Sequence, residues 1–361
     1  SNGQAISEPL FISQEKYDEI KNHFGVPQSG DMLLTSVGTI GVPYIVREKD
    51  YFYFKDGNLT WFRNFSDELD SKYLYFWVKS SEGQSILNNT TIGSSQKALT
   101  IASLKGLEIP CPPSPVQKRI VEFLAGYDDL IENNQKQIKL LEEAAQRLYK
   151  EWFVDLRFPG HETTPIVDGI PQGWERMVLS EVTSVLKRGI SPKYSDNGKY
   201  SVINQKCIRS SIMDISESRR QEKEYVPTLN LQDSDTVICS TGTGTLGRVG
   251  RVYGDYPNTT FDSHVTLVRA KENPNYIYHV VKSQQEYLMG MGRGSTNQQE
   301  LYRDVIERLV VLCPSQDILL KADRVLNAIH CKIKAVYLQN NLLVESRDRL
   351  LPKLMSGELE V

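Results

Sequence analysis

One block of sequence occurs twice in this chain, about 202 positions apart, and the second occurrence holds the register of the first. "LEIPCPPS" is expected to end an apolar strand before Pro112, and "LVVLCPSQ" another before Pro314. Upstream, "GSSQKALTIASLKGLEI" from Gly93 to Ile109 matches "GSTNQQELYRDVIERLVV" from Gly294 to Val311, the second copy being one residue longer near its start. Leu99 pairs with Leu301, Leu104 with Ile306, Leu107 with Leu309 and Ile109 with Val311. A duplication on this scale restricts the chain to two bodies built from the same elements in the same order.

Downstream of each proline the register continues through a long helical pattern. In the first copy the inward positions are Ile120, Leu124, Tyr127, Ile131, Asn134, Ile138, Leu141, Ala145, Leu148 and Trp152, spaced 4, 3, 4, 3, a heptad seam with one polar member. Adding 202 gives Ala322, Leu326, Ile329, Ile333, Val336, Asn340, Leu343, Arg347, Leu350 and Leu354. Some 35 helical residues at 1.5 Å each make a rod of about 50 Å, far longer than an average globular helix. Pro112 and Pro113 open the first and "FPG" at Phe158 closes it. Pro314 opens the second, which ends near Pro352. The matching seams predict that the two helices pair with each other, with a buried Asn holding the register. Two amphipathic helices packed separately on their own domains are the other arrangement the pattern permits.

The earlier part of each copy reads as strands and turns, in runs such as "DMLLTSVGTIGVPYIV", "DYFYF", "NLTWFRNF", "DTVICSTG" and "SHVTLVRA". Within them "STGTGTLG", Ser240 to Gly247, contains G-x-G-x-x-G. A dinucleotide site needs a helix after that loop so that its N-terminus meets the pyrophosphate, and an acid about 20 residues on. Here "RVGRVYGDY" follows with strand alternation, and the aligned "DMLLTSVGTIG" of the first copy lacks two residues and the motif. The loop is therefore expected to be a glycine-permitted turn between strands that sets Ser240, Thr241, Thr243 and Thr245 at a surface.

Composition excludes little. The chain of 361 residues is 40% hydrophobic and 24% charged, without an apolar run near the ~20 residues that span a bilayer, so a cytoplasmic protein is expected. Cys111, Cys207, Cys239, Cys313 and Cys331 show no metal or disulfide spacing and are expected to be small buried apolar residues; no metal site is expected. His264 in "FDSHVTL" is expected to be an ordinary strand histidine. A net charge of −3 argues against nucleic acid, yet between Lys187 and Lys223 nine Lys/Arg stand against four acids. A merely solvated face would look the same.

The repeated "S-x-G-T…G" turn, "IPQGWE" at Ile170 to Glu175, the polar "GSSQ" and "GSTNQ" segments, and the "PPSPVQ" and "PSQ" helix openings together resemble the specificity subunit of a type I restriction-modification system, over essentially the whole chain. The resemblance implies an α+β fold with an internal pseudo-two-fold repeat, in which two β-rich target-recognition domains are separated by two long antiparallel coiled-coil helices. It implies residues 1–112 as a first target-recognition domain, 113–155 as a first spacer helix, 165–313 as a second domain and 314–355 as a second spacer helix. "IPQGWE" shifted back by 202 falls some thirty residues before Ser1, so the first domain is expected to be N-terminally truncated. The implied function is to read a bipartite target in double-stranded DNA while docking two modification methyltransferase subunits and the restriction motor and nuclease subunits. S-adenosylmethionine would sit on the methyltransferase partners, and this chain would carry no cofactor and no catalysis.

For such a reader, Arg suits guanine and Asn or Gln suits adenine in the major groove. In the second domain the candidates are Lys193, Tyr194, Asn204, Gln205, Arg209, Arg219 and Arg220 from the basic window, with Ser240, Thr241, Thr243 and Arg248 from the glycine turn. Arg293, Ser295, Thr296, Asn297 and Gln298 are expected to open a short helix whose N–H groups suit a phosphate. In the first domain the matching positions are Ser36, Thr39, Ser94, Ser95, Gln96 and Lys97. If the rod sets the gap between half-sites, one heptad inserted in both helices lengthens the unread spacer by ~3 bp. The competing readings are a coiled-coil scaffold without DNA specificity and an enzyme using carboxylate pairs such as Asp128 with Asp129 or Glu142 with Glu143; charged pairs on helix surfaces are usually only solvated.

Overall fold

The computed structural model describes residues 11–54, 57–93, 97–294 and 299–360. The fold is α+β, with a β-rich part in each half of the chain, an internal repeat and two long helices, Ser114–Tyr149 and Gln316–Met355. Two units are formed: Ser1–Gln135 with Leu338–Val361, and Lys136–Tyr337. Each long helix thus gives one stretch to each unit.

In the first unit the apolar "MLLT" strand, Met32–Thr35, is the centre of a three-stranded antiparallel sheet, between Pro43–Ile45 and Leu59–Phe62. Helices Ser71–Lys79 and Ser81–Thr90 cover it. Gly83 makes their join possible, since a Cβ there would lie 2.1 Å from the carbonyl oxygen of Trp77. Met32, Leu34, Tyr73 and Trp77 share one core with Ile120 and Leu124 of one long helix and Leu351 and Leu354 of the other. The helices run antiparallel here: Asp128 forms an ion pair with Arg347, and six residues further on Asn134 donates to Gln339 at 3.3 Å.

The second unit contains a four-stranded antiparallel sheet in the order Val249–Arg251, Thr236–Cys239, Val265–Ala270, Thr183–Arg188. A second sheet pairs Tyr200–Ile203 in parallel with Thr259–Phe261 and antiparallel with Arg219–Gln221. Between strands Thr236–Cys239 and Val249–Arg251 the glycine loop is a turn, and Gly242, Gly244 and Gly247 all take positive φ. Ile138 and Leu141 pack with Ile329, Ile333 and Tyr337, again antiparallel, and with Ile212 and Tyr253 of the β-rich part.

The duplication is visible atom by atom. Ser36 Oγ lies 2.6 Å from Thr60 Oγ1, and Ser240 Oγ lies 2.6 Å from Thr266 Oγ1. The Ser36 carbonyl accepts from Leu99 N–H, and the Ser240 carbonyl accepts from Leu301 N–H. Each serine thereby ties a central strand to the segment that leads towards its long helix.

Along the seam Ile120, Leu124, Ile131, Asn134, Ala145, Ala322, Leu326, Ile333, Val336, Asn340 and Leu354 are buried. Tyr127, Ile138, Leu141, Leu148, Ile329, Leu343 and Leu350 are half-buried. Towards the ends the buried face advances by one residue, to Tyr149 and Phe153 in one helix and Leu351 and Met355 in the other. A straight helix drifts about 20° per heptad against a 3.5-residue repeat, and the π-helical turn Lys150–Val154 adds to the shift. Pro352 lies inside the second helix rather than ending it.

Several expectations are corrected. Leu107–Cys111 forms no strand, although its counterpart Val310–Cys313 pairs with Glu175–Val178. A strand needs a ladder partner, and among the described residues none pairs with Leu107–Cys111. Residues 51–54 of "DYFYF" form no strand either. The short helix Arg303–Glu307 does not open at Arg293, because Arg293 and Glu300 exchange backbone hydrogen bonds at 3.0 and 2.9 Å and Tyr302 is the N-cap. Cys111 and Cys331 are exposed, whereas Cys207 and Cys239 are buried.

Candidate nucleic-acid interface

The sequence candidates of the second unit divide by what their side chains are already bonded to. Ser240 is fully buried, so its hydroxyl does not stand at a surface as the turn reading expected, and the first-domain candidate Ser36 is only 2% exposed. In both cases the strand-end position points the side chain across the sheet at a threonine. Asn204 is also buried; its Oδ1 accepts the backbone N–H of Lys206 and caps the 3-10 turn Gln205–Cys207. These three support the loops rather than face outward.

Beyond that cap, Gln205, Lys206 and Arg209 meet the glycine loop's Thr245 and Arg248 around an open cleft of about 360 Å³. A second cleft of about 240 Å³ shares Arg209 and Arg248 and adds Ser210, Ser211, Lys282 and Gln285. Four cations therefore line two adjoining concavities. Arg209 reaches Glu217 only at 3.9 Å, and among the described residues Lys206 and Arg248 form no ion pair. A chain with net negative charge has gathered four cations at one place, two of them, Lys206 and Arg248, without an ion pair among the described residues, which suits a polyanion. Lys282 donates to Gln285 Oε1 at 2.8 Å and to the Val249 carbonyl at 3.3 Å. Burial lowers its pKa, and burial pushes the nearby Glu142 carboxyl up to about 7. Lys206 belongs to the basic window of the sequence, where nothing distinguishes it from its neighbours. Lys282 and Gln285 carry no sequence signal, because only folding brings helix Pro274–Ser283 and the short helix after it to that loop, while Ser210 and Ser211 sit unremarked beside Arg209 in the basic window.

Gln205 Nε2 donates to Thr241 Oγ1 at 3.0 Å, and Thr241 Oγ1 lies 2.6 Å from His264 Nδ1. His264 is exposed and sits in the turn before strand Val265–Ala270, not within it as expected, with its backbone N–H on Asp262 Oδ1 at 2.9 Å. Burial pushes the Asp262 carboxyl above its ordinary range. Gly242 lets the loop close over this group, since a Cβ there would stand 2.4 Å from Thr245 Oγ1 and 3.3 Å from Gln205 Nε2. Thr243 is exposed at the tip.

The remaining candidates are dispersed over other contacts. The Arg219 guanidinium stacks 3.6 Å from the Tyr194 ring centroid, and Arg220 donates to Ser201 at 3.3 Å. Being successive on strand Arg219–Gln221, the two arginines project to opposite faces. Lys193 pairs with Glu222 at 2.9 Å. Arg293 lies over Tyr302, 5.7 Å from its centroid. In the first unit Thr39 and Lys97 are exposed. Ser94, Ser95, Gln96, Ser295, Thr296, Asn297 and Gln298 lie outside the described residues.

Comparison with known proteins follows the duplication. The family model for the type I restriction modification DNA specificity domain matches twice, over residues 4–143 and 171–318. The chain is 30% identical over 349 residues to the Methanocaldococcus jannaschii type I restriction enzyme MjaIX specificity subunit, covering 92% of this chain and 78% of that one. It is 22% identical over 335 residues to the Haemophilus influenzae type I restriction enzyme HindI specificity subunit, covering 72% and 71%. A crystal structure of the type I restriction-modification S subunit from M. genitalium shares the fold, at a TM-score of 0.54 and 18% identity, over 91% of this chain and 83% of that one. With both halves matched, the chain belongs to the family of type I restriction-modification DNA specificity subunits.

Proposed function

We infer that this chain confers DNA sequence specificity on a type I restriction-modification system by reading a two-part target in double-stranded DNA. The observation that carries the reading is the double family match, one match for each copy of the repeat. The cationic concavity around Arg209 and Arg248 supports it, because phosphate neutralisation supplies most sequence-independent affinity and Arg and Gln are side chains that read base edges. Residues 1–112 and 165–313 are the reading domains, and the helical stretches 113–155 and 314–355 dock two modification methyltransferase subunits and the restriction motor and nuclease subunits. S-adenosylmethionine belongs to those methyltransferase partners, and this chain is a non-catalytic, cytoplasmic component. Among the described residues no helix is long and apolar enough to cross a membrane. A scaffold without DNA specificity is not favoured.

The test is methylation mapping in cells carrying the chain with its methyltransferase partner, beside gel shifts with and without that partner. A bipartite methylated motif that disappears when this chain is deleted is the expected result. An unchanged methylation pattern overturns the reading.

A further inference from the structure

The polar chain from Gln205 through Thr241 to His264 has a direction. An amide nitrogen only donates, so the Thr241 oxygen accepts from Gln205 Nε2. The hydroxyl proton is then free to point at His264 Nδ1, 2.6 Å away, which accepts when the ring proton is on Nε2. The amide cannot turn over without placing its carbonyl oxygen against a hydroxyl oxygen whose proton is already committed. With one N–H held by Thr241, Gln205 is left with its second N–H and its Oε1, and the side chain lines the cleft beside Arg209 and Arg248. One donor beside one acceptor matches the N7 and N6 edge of adenine; a reversed amide would offer two donors, the pattern that suits the N7 and O6 edge of guanine.

We propose that Gln205 reads an adenine in the major groove and that Thr241 and His264 are positioning residues that set the polarity of its amide. The inference rests on the DNA-reading function above and adds to it the base, the reading group and the relay that orients it. Among the described residues the first unit has no equivalent relay, since Val37 stands in the turn where the second unit has Thr241. The glycine of the turn belongs to the same device, since any side chain at 242 would press on Thr245 and on the amide.

The experiment selects bound duplexes from a randomised pool, using the complex of this chain with its methyltransferase subunits. Wild type is expected to prefer adenine at one position of one half-site. Gln205→Ala should lower that preference by about tenfold to a hundredfold. Thr241→Val, which removes the hydroxyl at constant shape, should relax the same position and no other, while Thr241→Ser should restore it. Thermal unfolding of each variant chain separates these effects from misfolding, which would weaken every position together. Undiminished adenine preference in Gln205→Ala, or preference for another base at that position, overturns the assignment to Gln205. Loss in Gln205→Ala with full retention in Thr241→Val overturns the relay alone. A wild-type complex without any sequence preference overturns the DNA-reading function itself, a result distinct from both.

Discussion

The Nε2 atoms of His279 and His330 lie 3.0 Å apart, one on helix Pro274–Ser283 and the other on the long helix Gln316–Met355. His330 Nδ1 is 2.8 Å from the hydroxyl of Tyr253, which burial keeps protonated by pushing its pKa well above the ordinary value. A neutral imidazole has one N–H and one bare ring nitrogen, so the two histidines can share a hydrogen bond with one ring donating and the other accepting. Both imidazoles are buried beside Arg251, itself 1% exposed and bonded to Asn275 at 2.6 Å, and Asn275 donates to Asp323 of the same long helix at 3.0 Å. Within this unit the β-rich part is thus keyed to the helix by directional polar bonds as well as by apolar packing.

Acid should unlock this contact. Burial and the Arg251 charge hold His279 at about 3 and His330 at about 2, below the unfolded value near 6.5. Below pH 6.5 the unfolded chain therefore binds protons that the folded chain does not. Stability is fully present above that pH and falls as pH drops towards 3, by about 1.4 kcal/mol per pH unit for each histidine. Denaturant titrations at pH 7 and 5 should show His330→Gln losing about 2 kcal/mol less than wild type over that interval. Equal losses would show that the pair does not govern the acid response.

The buried seam asparagine should cost stability. Asn340 is 7% exposed, its Nδ2 reaches the Ile131 carbonyl only at 3.4 Å, and its Oδ1 has no hydrogen-bond partner. Asn340→Leu removes an unsatisfied buried acceptor and should stabilise the chain by about 1–2 kcal/mol, read as a Tm rise of a few degrees. A lower Tm would mean that the amide contributes more than register.

Gly247 is required twice over, by its φ of +78° and by the 2.6 Å that would separate a Cβ from the backbone nitrogen of Met289. Gly247→Ala should destabilise by about 2–4 kcal/mol, combining left-handed strain with displacement of a packed helix. Gly244 has comparable φ and open space, so Gly244→Ala should cost only the strain, about 1 kcal/mol. Calorimetry that ranks the two the other way would contradict the packing at Met289.

Removing cleft charge should change the salt dependence of DNA binding more than its sequence preference wherever the arginine meets phosphate. With the partner present, Arg209→Ala and Arg248→Ala should each reduce the slope of log K against log salt by about 1 for each phosphate that the arginine neutralises. A relaxed preference at one base with the slope unchanged would instead assign that arginine to a guanine edge. Wild-type slope together with wild-type preference would remove it from the interface.

What the linear chain reveals is what periodicity and duplication carry. The 4, 3 spacing from Ile120 to Ala145 and its copy from Ala322 predict two long helices, and the aligned Ser36 and Ser240 turns occupy one structural position in each unit. The glycine loop is legible as a turn because no helix pattern follows Gly247. Elsewhere spacing is a poorer guide: the buried face moves from Leu148 to Tyr149, and a serine expected at a surface turns its hydroxyl inward to Thr266. Both outcomes depend on what lies across the gap rather than on neighbours in sequence.

Local spacing is thus enough to specify the duplicated plan, the helical rods and the family, because backbone geometry must obey it wherever the chain goes. Which polar residues face outward and which are consumed internally is settled by packing between distant segments. Folding sets Gln205 against Thr241 and His264, brings Lys282 to Arg248, and buries His279 on His330. Hydrogen-bonded partners such as Thr241 with His264 and His279 with His330 stand 23 and 51 residues apart and meet only when sheets and helices pack.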